Sequence, residues 1–76
     1  MENKRINCGF EIIYSSQVEK DLEIVLGRNL VSGEYVTWAC KNRHDYFWGH
    51  YFSYEENALA DLAERVKEER RYNGQQ

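Results

Sequence analysis

Two neighbouring segments rich in β-branched and aromatic residues constrain the fold of this chain more than any other feature. They are EYVTWAC at residues 34–40 and YFWGHYF at residues 46–52. Residues of these types favour β-strands because their side chains pack well on a pleated, half-buried surface. Only the five residues KNRHD lie between the two segments. A connection this short joins antiparallel neighbours, so the sequence predicts a β-hairpin.

The position of the turn sets the register of this hairpin. With a turn centred on Arg43 and His44, the register predicts three pairs: Ala39 with Trp48, Trp38 with Gly49, and Thr37 with His50. An aromatic ring that lies across a strand glycine covers the backbone that the glycine leaves bare. The sequence therefore predicts that the ring of Trp38 lies over Gly49.

Two further strands and one helix complete the predicted fold. FEIIYSS at residues 10–16 and DLEIVLG at residues 21–27 predict strands that precede the hairpin. Ser53 and Glu56 have the spacing of a capping box, which marks a helix start. The helix carries an apolar stripe that we expect to face the sheet, made of Ala58, Leu59, Leu62, Ala63 and Val66. We expect its opposite face, with Asp61 and Arg65, to be solvated.

These elements predict an α+β fold, a three- or four-stranded antiparallel meander sheet with one C-terminal helix packed on one face. A chain of 76 residues allows one small domain. We expect loose ends over residues 1–8 and 73–76, with Asn73 and Gly74 ending the helix. No stretch is apolar over the ~20 residues of a membrane span, and no apolar region follows the charged N-terminus. We therefore expect a cytoplasmic protein that has no membrane partner.

The predicted hairpin carries aromatic rings on both faces. One face collects Val36, Trp38, Cys40, Phe47, Gly49 and Tyr51, and we expect the helix to cover it. The other face, here called the predicted aromatic face, collects Tyr35, Tyr46, Trp48, His50 and Phe52. A helix is about 10–12 Å wide and covers only one face of a small sheet. We therefore interpret the predicted aromatic face as a binding surface, the alternative being that Trp48 and Phe52 close over a loop as core residues.

The cysteine and histidine residues do not predict a metal or catalytic centre. The spacing of Cys8, Cys40, His44 and His50 matches no zinc-binding pattern. Strand alternation sends Cys40 and His50 to opposite faces, and no phosphate-binding loop or hydrolase motif occurs. We therefore expect no enzymatic activity, no cofactor and no metal, and we identify no small-molecule substrate.

The charge of the chain bears on its partners. The net charge is −3, and acidic and basic residues are interspersed, whereas a strong phosphate binder has a basic face. We predict a small protein-interaction module that uses the predicted aromatic face for self-association or for a protein partner. The alternative is a single-stranded nucleic-acid-binding or regulatory protein, in which the same rings stack on bases while Lys41 and Arg43 contact phosphates.

Residues 35–66, YVTWACKNRHDYFWGHYFSYEENALADLAERV, resemble small proteins encoded on conjugative transposons and related mobile elements of clostridia and their relatives. In that group a V-T-W strand precedes a Y-[FY]-W-G-H-Y strand and an acidic-capped helix, and EIVLGRN at residues 23–29 belongs to the same pattern. The group has no established activity to transfer. The resemblance implies an accessory role in regulation of the element, in conjugation or in dealing with host defences. It also implies a binding module rather than a metabolic enzyme.

Overall fold

The computed structural model describes residues 5–73 of the chain and the side chains of residues 5–70. Its elements are β1 (Ile6–Asn7), β2 (Phe10–Glu19), β3 (Leu22–Asn29), β4 (Tyr35–Lys41), β5 (Asp45–Phe52) and α1 (Glu55–Asn73). The strands form one antiparallel sheet in the order β1-β2-β3-β4-β5. The predicted α+β fold, with an antiparallel meander and a C-terminal helix, is confirmed. The predicted number of strands is wrong, because the sheet has five strands rather than three or four.

The strand that the sequence did not predict is β1, which lies inside the predicted loose lead-in. Ile6 pairs with Glu11, and the turn that joins β1 to β2 consists of Cys8 and Gly9, both at positive φ. A strand of two residues is too short to show an alternating pattern, so its pairing depends on the strand beside it. Of the predicted loose ends, residues 1–4 and 74–76 lie outside the described residues, and so does Gly74 as a predicted helix end.

The sheet is curled, so that one of its faces closes on itself. The ring centroids of Phe10 in β2 and Tyr51 in β5 are 6.0 Å apart, although β3 and β4 lie between these strands. In a flat sheet three strand spacings would separate them by about 14 Å. The concave face holds a buried cluster of Phe10, Val25, Val36, Trp38 and Cys40, against which Ile12 and Tyr46 pack.

The helix α1 packs on the opposite, convex face. The buried residues on that side are Ile24, Leu26, Thr37, Ala39 and, from the helix, Ala58. The prediction that the helix covers Val36, Trp38 and Cys40 is therefore wrong. Because the curl lets the concave face bury the rings of Phe10 and Trp38, the helix is left to cover the convex face, and β3 and β4 are buried on both sides.

The register of the β4–β5 hairpin changes part-way along the strands. Thr37 pairs with His50 as predicted, but Ala39 pairs with Phe47 rather than with Trp48. The shift is a β-bulge at Trp48, whose φ is +56°. An extra residue in one strand reverses the inward and outward alternation beyond it.

The predicted contact between Trp38 and Gly49 is confirmed. A Cβ atom built on Gly49 would lie 2.7 Å from Nε1 and 3.1 Å from Cδ1 of Trp38. The indole therefore lies directly on the glycine backbone. A side chain at this position would overlap the ring, so the ring or the backbone would have to shift.

Candidate interaction surfaces

The structure divides the predicted aromatic face between the two sides of the sheet. Tyr46 lies on the concave side, where its ring centroid is 5.4 Å from that of Trp38. Tyr35, His50 and Phe52 lie on the convex side, and Tyr35 pairs with Phe52, both half-buried. Trp48 lies at the bulge between them. The five residues do not form one continuous surface, because the bulge reverses the alternation on which the prediction depended.

On the concave side, Tyr46 belongs to a buried polar cluster centred on Arg5. The guanidinium of Arg5 donates to both carboxylate oxygens of Glu23, at 3.3 and 2.9 Å, to Oη of Tyr46 at 3.1 Å and to Sγ of Cys40 at 3.5 Å. Burial by itself raises the pKa of Glu23, but the hydrogen bonds and charge of Arg5 outweigh it and hold that pKa below its ordinary value. The same hydrogen bonds raise the pKa of Arg5. This arrangement is a satisfied buried ion pair.

Cys40 in this cluster is not suited to nucleophilic chemistry. Its side chain is fully buried, and burial, followed by the charge of Glu23, raises the pKa of the thiol. Since the thiolate is the reactive form, a raised pKa lowers the reactivity. Sequence reasoning missed the cluster because Arg5 fell in the predicted lead-in and Glu23 on the polar side of the β3 alternation.

On the convex side, a second polar cluster joins the sheet to the helix through Thr37. Its hydroxyl donates to Oδ2 of Asp61 at 2.6 Å and accepts from Nη1 of Arg65 at 3.1 Å. The same Nη1 also donates to the Thr37 carbonyl at 3.1 Å, and Nδ1 of His50 lies 3.0 Å from Oδ2 of Asp61. Burial lowers the pKa of Arg65. The prediction that Asp61 and Arg65 face solvent is wrong, because both bond to a buried threonine.

The bulge presents Trp48 to solvent. The residue is 70% exposed, and its ring meets the ring of Phe47 edge to face at 4.9 Å between centroids. Positive φ is unusual for a bulky residue and costs on the order of 1–3 kcal/mol. Strained residues of this kind concentrate at binding sites. The alternative interpretation, in which Trp48 closes over a loop as a core residue, does not agree with this exposure.

A cavity of about 300 Å³ lies beside Trp48, between β5 and α1. This Trp48 pocket is lined by Ile24, Ala39, Trp48, His50, Arg65, Glu68 and Glu69. Its floor is apolar, since Ile24 and Ala39 are buried core residues. Glu68 and Glu69 bring carboxylates from the helix, whereas the Arg65 guanidinium already bonds to Thr37. The pocket therefore combines an exposed indole with carboxylate groups.

On the other flank of α1, an apolar groove of about 830 Å³ borders the helix and β2. This helix groove is lined by Ser16, Leu59, Leu62, Ala63, Val66, Lys67 and Arg70. The apolar stripe predicted to face the sheet lines this groove instead: of its residues only Ala58 is buried, and Ala63 is exposed. The helix presents Asp61 and Arg65 to the sheet, because both bond to Thr37, and this turns the stripe to one side.

The two cations predicted to contact phosphate have acidic neighbours. Lys41 pairs with Asp45 across the hairpin, and Arg43 lies in the turn and borders a polar cavity with Asp21 and Glu23. Neither cation is among the described residues that line the Trp48 pocket. A base stacked on Trp48 would not have these cations beside it in the pocket.

No family model, curated protein or solved structure matches this chain. The resemblance of residues 35–66 to mobile-element proteins therefore stays a prediction. Within residues 5–73, no group of three or more histidine, cysteine, aspartate or glutamate side chains is arranged to hold a metal ion. In that same range no helix has both the length and the apolar character needed to cross a bilayer.

Proposed function

We propose that this protein is a non-enzymatic protein-interaction module that binds a segment of a protein partner at the Trp48 pocket. The observation that carries the proposal is a tryptophan residue that is 70% exposed, held at positive φ beside a cavity. Tryptophan is enriched among the residues that contribute most to protein–protein binding, because it buries a large rigid surface.

The charges around the pocket favour a lysine or arginine side chain of the partner. Glu68 and Glu69 supply two negative charges, and the charge of Asp61 offsets that of Arg65, which also lines the pocket. A cation that lies over an indole face is attracted by the ring, and a nearby carboxylate adds to that attraction. The pocket therefore suits a cationic side chain better than an anionic one.

Single-stranded nucleic acid, the alternative, fits the same surroundings less well. A base stacked on Trp48 would bring its phosphates towards Glu68 and Glu69, and the whole chain carries a net charge of −3. Nucleic-acid binding without sequence preference depends on a basic groove beside the stacking rings. We therefore place the protein partner ahead of nucleic acid.

The state of Cys40 is in keeping with a role without catalysis. This residue is fully buried, and burial raises the pKa of its thiol. The mobile-element setting that we propose for this module rests on the resemblance of residues 35–66 alone, and the cytoplasmic location rests on the hydropathy pattern of the sequence.

A two-dimensional NMR titration of the indole N–H signals tests the proposal. The chain has two tryptophans, of which Trp38 is buried and Trp48 exposed, so Trp38 is an internal control. The ligands are an arginine- and lysine-rich peptide, an acidic peptide of equal length, and a mixed-sequence single-stranded oligonucleotide at low salt. We expect the Trp48 signal to shift and saturate with the cationic peptide alone, while Trp38 stays still.

Two variants connect this binding to the pocket. Trp48→Gly should abolish it and leave the fold intact, because glycine adopts positive φ readily. The double variant Glu68→Gln with Glu69→Gln should weaken it, because the carboxylates are lost. A saturating shift of Trp48 with the oligonucleotide, weakened by salt, would establish the nucleic-acid alternative. A Trp48 signal that moves with none of the three ligands would refute the pocket as a binding site.

A further inference from the structure

The helix groove has a symmetric pattern. Its apolar residues on α1 are Leu59, Leu62, Ala63 and Val66, which lie evenly about the midpoint between Leu62 and Ala63. If two α1 helices pack antiparallel across a two-fold axis at that midpoint, Leu59 lies opposite Val66 of the other copy. Leu62 then lies opposite Ala63, so a large side chain meets a small one. A two-fold interface requires this self-complementarity.

The charges at the two ends of the stripe follow the same symmetry. Glu55 precedes Leu59 by four residues, and Arg70 follows Val66 by four residues. At about 100° per residue, both lie within roughly 30° of the centre line of the stripe. In the antiparallel pair, Arg70 of each copy lies opposite Glu55 of the other. In a parallel pair like charges would meet, so the charge pattern selects the antiparallel arrangement.

We propose that a second copy of this chain occupies the helix groove and forms a two-fold symmetric dimer with antiparallel α1 helices. Lys67 and Arg70 at one end of the groove meet the acidic first turn of the other helix, formed by Glu55 and Glu56. Arg70 donates through Nη2 to the Gln17 carbonyl at 3.3 Å, and its guanidinium has further donors for a carboxylate. The dimer does not depend on the Trp48 pocket, which lies on the other flank of the helix.

The expected dimer is weak. A helix of 19 residues is about 28 Å long, so one helix pair and the edge of β2 give an interface at the small end of the stable range. We expect a dissociation constant on the order of 10–100 μM. Sedimentation velocity of the full chain, from about 1 μM to 1 mM, covers this range.

A charge exchange between two variants provides the decisive test. Arg70→Glu alone and Glu55→Lys alone should each weaken dimerisation on the order of tenfold, because two symmetric contacts turn repulsive. An equimolar mixture of the two variants should regain the dimer, because both contacts of the heterodimer are attractive. Glu64→Lys, exposed and on the opposite side of the helix, is the matched control and should dimerise like the wild type.

The outcomes are distinct. A wild-type chain that stays monomeric up to 1 mM overturns the proposal. A mixture of the two variants that fails to dimerise also overturns it. The same holds if the Glu64→Lys control loses the dimer as much as the two variants do, because another surface or a general loss of folding would then be responsible. Circular dichroism checks the fold of every variant. Trp48→Gly should dimerise like the wild type. A failure of the dimer proposal can therefore be distinguished from a failure of the proposed binding at the Trp48 pocket.

Discussion

Replacing Arg5 with methionine removes the positive charge from the concave cluster while keeping a long apolar side chain. In the wild type this guanidinium makes the 2.9 and 3.3 Å hydrogen bonds to Glu23, whose residue surface is only 5% exposed. After the substitution the carboxylate stays buried beside Cys40 and Tyr46 and lacks its counter-charge. We therefore expect Arg5→Met to be among the most destabilising single changes outside the apolar core.

The magnitude follows from the burial of the two partners. Removing one member of a buried ion pair costs about 3–5 kcal/mol, because an uncompensated charge remains inside. The Arg5 side chain is 20% exposed and Glu23 6%, so water reaches one edge of the pair and favours the lower end, about 3 kcal/mol. A chain of 76 residues has a total stability of roughly 4–11 kcal/mol. The loss is thus a large fraction of the free energy of unfolding.

The effect of pH on this loss has a definite sign. In the wild type the pKa of Glu23 lies below its unfolded value of 4.5, so the stabilisation is present above that pH and is lost as the pH falls through the folded pKa. In Arg5→Met burial, the largest influence on Glu23, is opposed by the weaker influences of the Ser15 hydrogen bond and the Arg43 charge, and we expect that pKa to lie above 4.5. The variant therefore recovers stability as the pH falls, and the difference between the two proteins is largest near pH 7.

Urea unfolding followed by tryptophan fluorescence measures this difference at several pH values between 7 and 4. With a slope near 1 kcal/mol/M for a small domain, a loss of 3 kcal/mol lowers the midpoint by about 3 M at pH 7. The control is the double variant Arg5→Met with Glu23→Gln, which removes both charges and should regain at least about half of the loss. A loss below about 1 kcal/mol, or a difference that is constant from pH 7 to pH 4, would refute the reasoning.

Three further predictions test the two sides of the sheet. Gly49→Ala should lower the stability by about 1–3 kcal/mol, because the new Cβ would lie 2.7 Å from Nε1 of Trp38; an unchanged thermal midpoint would contradict this contact. Thr37→Val should cost about 1–3 kcal/mol in urea unfolding, because it removes the hydroxyl that bonds to the helix, while Thr37→Ser should cost less; equal losses would argue against the hydrogen bonds. Alkylation followed by mass spectrometry should label the exposed Cys8 in the native protein and the buried Cys40 only after unfolding, and native labelling of both would be inconsistent with the described core.

Short-range patterns in the sequence were sufficient for most of the secondary structure. The β-branched and aromatic segments gave β4 and β5, and the pattern after Ser53 gave α1, within one or two residues of their bounds. The pairing of Thr37 with His50 and the contact of Trp38 with Gly49 also followed from the sequence. These features depend on residues that are close in the chain, so local propensity and turn position are enough to predict them.

The candidate site was predicted only in part. Trp48 and His50 do line one pocket, but Tyr46 lies on the other side of the sheet, and Glu68 and Glu69 were not foreseen. A single extra residue in β5, at the bulge, causes this division. The alternation of residue types along the strand does not indicate where such a bulge lies. The carboxylates were missed because they come from the helix, whose position across the sheet depends on its bonds to Thr37.

The sequence by itself determined which segments form strands and helix, because hydrophobic period and residue type act over a few neighbouring positions. Only the tertiary structure decided which face each segment buries. The curl brings Phe10 to Tyr51 across two intervening strands, and it lets the sheet bury one face without the helix. The helix then settled on the convex face, where Asp61 and Arg65 bond to Thr37 and leave the apolar stripe open on one flank. Those contacts join residues far apart in the chain, and their free energy depends on the packing of the whole sheet.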